Sequence, residues 1–377
     1  MHLSQQHESS AGVERFDQLA SGLEASFSAG VADPWTDDEF SSAAMKVFRY
    51  QFEHNSTYRR FCEGRDRGPD SVQDWVDVPA VPTRAFRHLD LVCGDPSQAE
   101  AVFRTSGTTG DGGPRGRHLV PRLSLYDASL LPAFKAYLLP DLDRINFVSL
   151  IPPPTALPDS SLSHMVGAAA QRYATEATWA VDGSGAIDAQ ALGNAIAAAR
   201  ASHAPVLLLG TAFAFVHALE APAATLGPLP DGSRIMETGG FKGRARELPR
   251  DELYARLAAA TGVSAARIVN EYGMTELQSQ LYEPVLAGEP FGCGHVPPPW
   301  LRVRALDPTT LEGQPEGESG ILSFFDLANS GSVAHVLTED LGAVSEGRVF
   351  LAGRAADAEP RGCSRAMDDL MTAAGFR

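Results

Sequence analysis

Residues 104–118 read Arg-Thr-Ser-Gly-Thr-Thr-Gly-Asp-Gly-Gly-Pro-Arg-Gly-Arg-His, and the hexapeptide Thr105-Ser106-Gly107-Thr108-Thr109-Gly110 inside them decides what fold to expect. Such a loop has no bulky side chains to keep a phosphate away. Its backbone N–H groups can point inward, the hydroxyls of Thr105, Ser106, Thr108 and Thr109 add donors, and Arg115, Arg117 and His118 can supply positive charge nearby. No Gly-Lys-Ser/Thr follows at the spacing of a Walker A loop. A Gly- and Thr-rich surface loop is the alternative reading of these residues taken alone.

A second stretch, 268–283, reads Ile-Val-Asn-Glu-Tyr-Gly-Met-Thr-Glu-Leu-Gln-Ser-Gln-Leu-Tyr-Glu. A strand should end near Asn270, and catalytic groups of α/β sheets gather where strands end. Glu271 and Tyr272 then stand at that end, Tyr272 as a surface for a base to stack on. Gly273 allows a tight turn, Thr275 can hydrogen-bond a phosphate and Glu276 can hold Mg²⁺. A capped helix turn with no ligand is the alternative here.

Between and around these motifs the pattern alternates. Apolar β-rich runs at 145–151, 178–181, 206–209, 234–236 and 268–270 are separated by helical stretches at 123–139, 160–174, 189–201, 211–219 and 250–260. Alternation of this kind predicts an α/β sheet covered by helices. The first 90 residues read as helical, with Phe16, Leu19, Leu23 and Phe27 at helical spacing and a helix opening at Asp37. After residue 290, runs at 301–305, 321–325 and 349–351 suggest a β-rich subdomain. A last helix is expected over 365–374, with Ser364 as N-cap and Gly375 as its stop. The expected domains are 1–95, helical; 96–290, the α/β nucleotide-binding core; 291–360, β-rich; and 361–377, a tail with a cysteine.

The two motifs together resemble the adenylate-forming superfamily of acyl-CoA synthetases, luciferases and adenylation domains. Three further segments look like the LuxE branch, the acyl-protein synthetases: Glu237-Thr-Gly-Gly-Phe-Lys-Gly-Arg244, Leu337-Thr-Glu-Asp-Leu-Gly342 and Arg361-Gly-Cys-Ser364. The likeness covers roughly residues 40–377. It implies a large N-terminal domain of layered sheets and helices plus a β-rich subdomain, with the full C-terminal lid domain absent. It also implies that the glycine loop, Thr105 to Gly110, embraces ATP phosphates, that Tyr272 carries adenine, that Glu276 holds Mg²⁺, and that Asp340, assisted by Arg354, binds the ribose. Two departures stand out. Pro114-Arg115-Gly116 replaces the usual Pro-Lys-Gly, and no lysine follows Lys242, which reads either as a partial stand-in for the lysine of the lid domain or as a solvated turn lysine.

Cys363 lies between Arg361 and Arg365 at the start of the expected helix, where cations and helix dipole favour thiolate. The resemblance makes it an acyl acceptor, with an incidental cysteine in a frayed tail as the alternative reading. His335 and His164 are candidate bases, a structural or acyl-pocket place being the more usual reading of each, and Phe213, Phe215 and His217 are candidates for an acyl pocket, core packing being the stronger reading for the two Phe residues. Cys62, Cys93 and Cys293 read as small core hydrophobes.

Of the 377 residues 44% are hydrophobic and 21% charged, with a formal net charge of −16. So acidic a chain argues against nucleic-acid binding, which needs clustered Lys and Arg. A polar start, scattered cysteines and no apolar run of membrane length lead to the expectation of a cytoplasmic protein without a membrane span.

Three functions follow. In the first, the chain makes an acyl adenylate from a carboxylic acid, ATP and Mg²⁺ and passes the acyl group through Cys363 to CoA, an acyl carrier protein or a reductase partner. In the second it is an ATP-independent acyltransferase working from CoA through Cys363. In the third it is a non-catalytic subunit that binds a partner.

Overall fold

The computed structural model describes residues 2–105, 114–221, 226–239, 248–354 and 361–376, with backbone only for 2–11, 13 and 14. They divide into two compact units. One comprises 133–273 and 280–296, the other 1–132, 274–279 and 297–377.

The first of these units is built on a six-stranded sheet. Its strand order is Ala174–Trp179, Ile145–Ser149, Val206–Thr211, Arg234–Thr238, Ile268–Tyr272 and Leu281–Tyr282. The first five are parallel and the last antiparallel. Parallel strands need crossovers, and here helices Ser161–Tyr173, Ala189–Ser202 and Arg250–Thr261 provide them. Local chemistry starts and stops these helices. Ser160 and Asp188 accept from the backbone N–H groups of Ser163 and Ala191, and Thr211 caps the short helix Ala212–Glu220 the same way. Gly262, at φ +74°, ends Arg250–Thr261 in the left-handed conformation that glycine adopts without penalty.

Both faces of this sheet are covered, which is why its strands read as continuous apolar runs. Val148, Leu208, Ile235 and Ile268 pack with Leu192, Ile196, Phe215, Leu253 and Leu257 in one core. On the opposite face Phe147 stacks on Phe134, which stacks in turn on Tyr173. Full burial of one such side chain stabilises by about 1.5–3 kcal/mol.

The other unit holds a largely antiparallel sheet. His335–Ser345 pairs with Ser319–Asp326, and Ser319–Asp326 with Leu301–Leu306. Val81–Pro82 joins His335–Ser345 in parallel, and Arg348–Arg354 returns against it as a hairpin. Glu346 and Gly347 take φ +50° and +72°, as a two-residue hairpin turn of matching twist requires. A separate hairpin pairs Ala101–Arg104 with Arg117–Val120. Helix Asp37–His54 begins with a full capping box between Thr36 and Glu39 and buries Phe40, Ala44, Val47 and Phe48.

The expected final helix starts earlier than anticipated. It runs Arg361–Ala373, so Ser364 lies inside it rather than capping it, and Cys363 sits in its first turn. The expected stop at Gly375 holds, at φ +86°. No described helix is long and apolar enough to cross a membrane.

Candidate functional site

The hairpin of 101–104 and 117–120 carries the glycine loop. At its base Thr105 N–H donates to Gly116 O at 3.0 Å, and Gly116 N–H donates to Thr105 Oγ1 at 2.9 Å. A Cβ on Gly116 would stand 2.9 Å from Thr105 Cγ2, so the close approach requires glycine. Ser106, Gly107, Thr108, Thr109 and Gly110 lie outside the described residues, as does Lys242. Arg115 donates to the carbonyls of Thr105 and Arg104, and Arg117 pairs with Asp90 at 2.5 Å.

His118 corrects an expectation. It is buried rather than offered to the loop as a cation, and burial pushes its pKa down. Its Nδ1 lies 2.6 Å from Thr275 O and its Nε2 lies 2.8 Å from Asn329 Oδ1. Asn329 Nδ2 donates to Glu276 O at 2.9 Å and to Val333 O at 2.8 Å. The turn at Thr275 and Glu276 is therefore held from beneath, both residues half-buried. The following residues are held by Asp326, whose carboxylate accepts from Gln278 N–H at 2.8 Å and Ser279 Oγ at 2.7 Å. Burial pushes Asp326 up to about 6 against those hydrogen bonds. The chain of contacts ends at Ser129, 2.8 Å from Ser279, which accepts from Trp300 Nε1 at 2.7 Å.

In the same unit Asp340 and Arg354 face each other across the hairpin, with Arg354 Nε donating to Asp340 Oδ1 at 2.9 Å. Asp340 N–H is itself fixed by Thr338 Oγ1 at 3.1 Å. Cys363 is buried, 3% exposed, among Leu306, Ile321, Leu337 and Ala366, with its Sγ 3.7 Å from Thr338 O. His335 is also interior. Its Nδ1 donates to Val78 O at 2.7 Å, its Nε2 faces Ser323 Oγ at 3.4 Å, and burial takes its pKa down to about 4. Both ring nitrogens are engaged within the core, a setting that suits packing rather than proton transfer.

The parallel-sheet unit brings a second polar group together at the carboxyl ends of its strands. Glu237 is buried and accepts from Tyr254 OH at 3.1 Å and from Asn270 Nδ2. His295 Nε2 donates to Asn270 Oδ1 at 2.7 Å. Glu271 accepts from Thr238 Oγ1. Burial raises Glu237 and Glu271 to about 7 each. A Cβ on Gly273 would stand 2.6 Å from Glu271 Oε1, so Gly273 makes room for that carboxylate. Tyr272 is half-buried, its ring edge-on to His295 at 6.3 Å. Of the acyl-pocket candidates Phe215 is in the core, but Phe213 is 38% exposed, which corrects the packing expected of it.

Sequence reasoning passed over Asp326, Asn329 and Glu237 as individual residues. A signal existed for the first, since Asp326 is the one acidic residue in the stretch 321–337.

A family described as acyl-protein synthetase, LuxE, matches residues 34–372. A long-chain-fatty-acid–luciferin-component ligase of Vibrio harveyi is 27% identical over 364 residues, covering 91% of this chain and 92% of its own. Among solved structures, a 2-hydroxyisobutyryl-CoA ligase in a postadenylation state with 2-HIB-AMP superposes with a TM-score of 0.64. Its identity is 17%, and the match covers 85% of this chain and 68% of that one. The chain spans only about half, 49%, of ATP-bound MatB from Rhodopseudomonas palustris, at 18% identity, a TM-score of 0.49 and 70% of this chain. The fold is that of the adenylate-forming enzymes.

Proposed function

The chain belongs to the LuxE family of acyl-protein synthetases, enzymes of the ligase class, and from that premise we propose that it activates a fatty acid with ATP in the cytoplasm and hands the acyl group on through Cys363. The acid is inferred from the Vibrio harveyi relative, a long-chain-fatty-acid–luciferin-component ligase. The carboxylate oxygen attacks the α-phosphorus, the bond to the β-phosphate oxygen breaks, and acyl-AMP and pyrophosphate result. A thiolate then attacks the acyl carbonyl and AMP leaves.

One observation carries this reading. The base of the glycine loop, the turn of Thr275 and Glu276, and the pair of Asp340 and Arg354 all belong to one compact unit, and the first two are joined through His118 and Asn329. Thr105 and the loop it begins would surround the phosphates, and Asp340, oriented by Arg354, would accept from ribose hydroxyls. Glu276 fits Mg²⁺, because that ion is commonly held by one or two carboxylates plus substrate phosphates, and no cage of three His, Cys, Asp or Glu exists among the described residues. When bound, the ion would neutralise charge on the leaving pyrophosphate.

For transfer, Cys363 has to leave the apolar bed of Leu306, Ile321 and Leu337. The final acceptor is a thiol of CoA, a carrier protein or a reductase partner.

The test is fatty-acid-dependent ATP–pyrophosphate exchange across a panel of chain lengths; no exchange with any of them refutes acyl activation. Intact-mass measurement with ATP and acid then tests the second step, since an acyl adduct that survives in Cys363→Ala excludes this thiol. An adduct formed from acyl-CoA without ATP would instead favour the ATP-independent transferase.

A further inference from the structure

Glu276 is flanked by two peptide planes, and a side chain from elsewhere in the unit grips each of them. The plane before it carries Thr275 O, held by His118 Nδ1 at 2.6 Å; the plane after it carries Glu276 O, held by Asn329 Nδ2 at 2.9 Å. Peptide planes are rigid, so fixing both leaves the Cα between them one direction in which to project its side chain. The turn's described backbone bond, Leu277 N–H to Met274 O at 3.2 Å, engages neither of these two carbonyls.

The two gripping residues also face each other. Asn329 donates both amide hydrogens, to Glu276 O and Val333 O, so its Oδ1 is left as an acceptor, 2.8 Å from His118 Nε2; a neutral imidazole has one N–H to give, and on Nδ1 it goes to Thr275 O. The His118 ring is set edge-on against Phe86 at 5.5 Å, and its strand partner is Phe103. Asn329 and His118 are 0% and 1% exposed. Burying two polar side chains is unfavourable unless every partner is met. Here the partners are two consecutive carbonyls of the acidic motif. His118 also lies two residues beyond Gly116, which closes the glycine loop at Thr105.

We propose that His118 and Asn329 are positioning residues that lock the turn of Thr275 and Glu276 in register with the base of the glycine loop, so that recognition of Mg·ATP, but not of adenosine, depends on them. The inference rests on the nucleotide reading above. Adenosine carries neither phosphate nor metal and has no use for Glu276 or the loop.

The test uses the full chain and compares binding of adenosine and of Mg·ATP in the parent, His118→Gln and His118→Phe. His118→Phe keeps the ring and its packing on Phe86 but donates nothing; His118→Gln keeps one donor. The expected result for His118→Phe is a loss of about tenfold in Mg·ATP affinity, equivalent to about 1.4 kcal/mol, with adenosine affinity within about twofold of the parent. His118→Gln should fall between. Should His118→Phe fail to fold, Gln278→Leu serves. It removes only the 3.3 Å contact from Gln278 Nε2 to Asn329 Oδ1, and should weaken Mg·ATP about threefold with adenosine unchanged. Equal losses for both ligands, or no loss for either, overturn the inference while leaving nucleotide binding intact. A parent protein that binds neither ligand overturns the functional reading and this inference with it.

Discussion

Replacing Glu237 by glutamine should make the protein more stable at pH 8 and leave it nearly unchanged at pH 4.5. Glu237 sits at the end of strand Arg234–Thr238, 2% exposed, and its carboxyl is moved from 4.5 to about 7. Burial is the main cause, and the charge of Glu283 adds to it; Arg250 and the hydrogen bonds from Tyr254 and Asn270 offset part of the rise. Folding that raises an acid's pKa stabilises fully only below the unfolded value. That stability is lost as the pH climbs from about 4.5 through 7, because the unfolded chain releases a proton that the folded one retains. A shift from 4.5 to about 7 corresponds to about 3 kcal/mol, at about 1.4 kcal/mol per unit. Glutamine keeps the shape and an acceptor for Tyr254 OH and Asn270 Nδ2, yet carries no charge to be buried. Urea unfolding followed by far-ultraviolet circular dichroism at pH 4.5, 6 and 8 measures the gap between variant and parent. It should open from near zero to about 3 kcal/mol across this window. A gap that stays constant with pH, or one that closes as the pH rises, refutes the assignment of a buried, largely protonated carboxyl at this strand end.

Three further outcomes are expected. Gly273→Ala drives a Cβ to within 2.6 Å of Glu271 Oε1; it should disturb the Glu271 bond from Thr238 and cost about 1–3 kcal/mol, and an unchanged thermal unfolding curve would contradict the packing described. In the native protein Cys62, Cys93 and Cys363 are buried and Cys293 is half-buried. Cys293 should react fast with a thiol reagent and Cys363 slowly, and Leu370→Ala, which removes about 2–5 kcal/mol of burial under helix Arg361–Ala373, should speed Cys363 most. Fast labelling of Cys363 in the parent, mapped by peptide mass, would contradict its docking. Asp340→Asn should change stability by no more than about 1 kcal/mol, since its partner Arg354 is 63% exposed, while weakening adenosine binding about tenfold; calorimetry showing unaltered binding removes Asp340 from the nucleotide site.

How much of this was legible in the sequence depended on how far apart the interacting residues lie. Signals carried by neighbours were read well. Apolar runs alternating with helical stretches marked the α/β sheet, because each run or helix is a pattern among near neighbours; the caps at Ser160, Asp188 and Thr211 that the structure adds also act within three residues. The glycine loop and the 271–276 motif stand out in the sequence for the same reason, as contiguous stretches. Misreadings arose where a residue's near neighbours suggested water and its distant ones supplied burial. Arg361 and Arg365 made Cys363 read as a thiolate at the start of a helix. Yet Cys363, Ala366 and Leu370 recur at helical spacing and form the buried stripe of their helix. His118 stands among Gly and Arg and looked like part of a basic loop, although Thr275, 157 residues on, and Asn329, 211 residues on, enclose it. No local pattern announces such a partner, because a buried donor and its acceptor need only meet in space. The residues that aim a site are therefore the least legible part of it. Glu276 could be named from its motif, but the direction of its side chain is set by two residues that share no stretch of sequence with it or with each other.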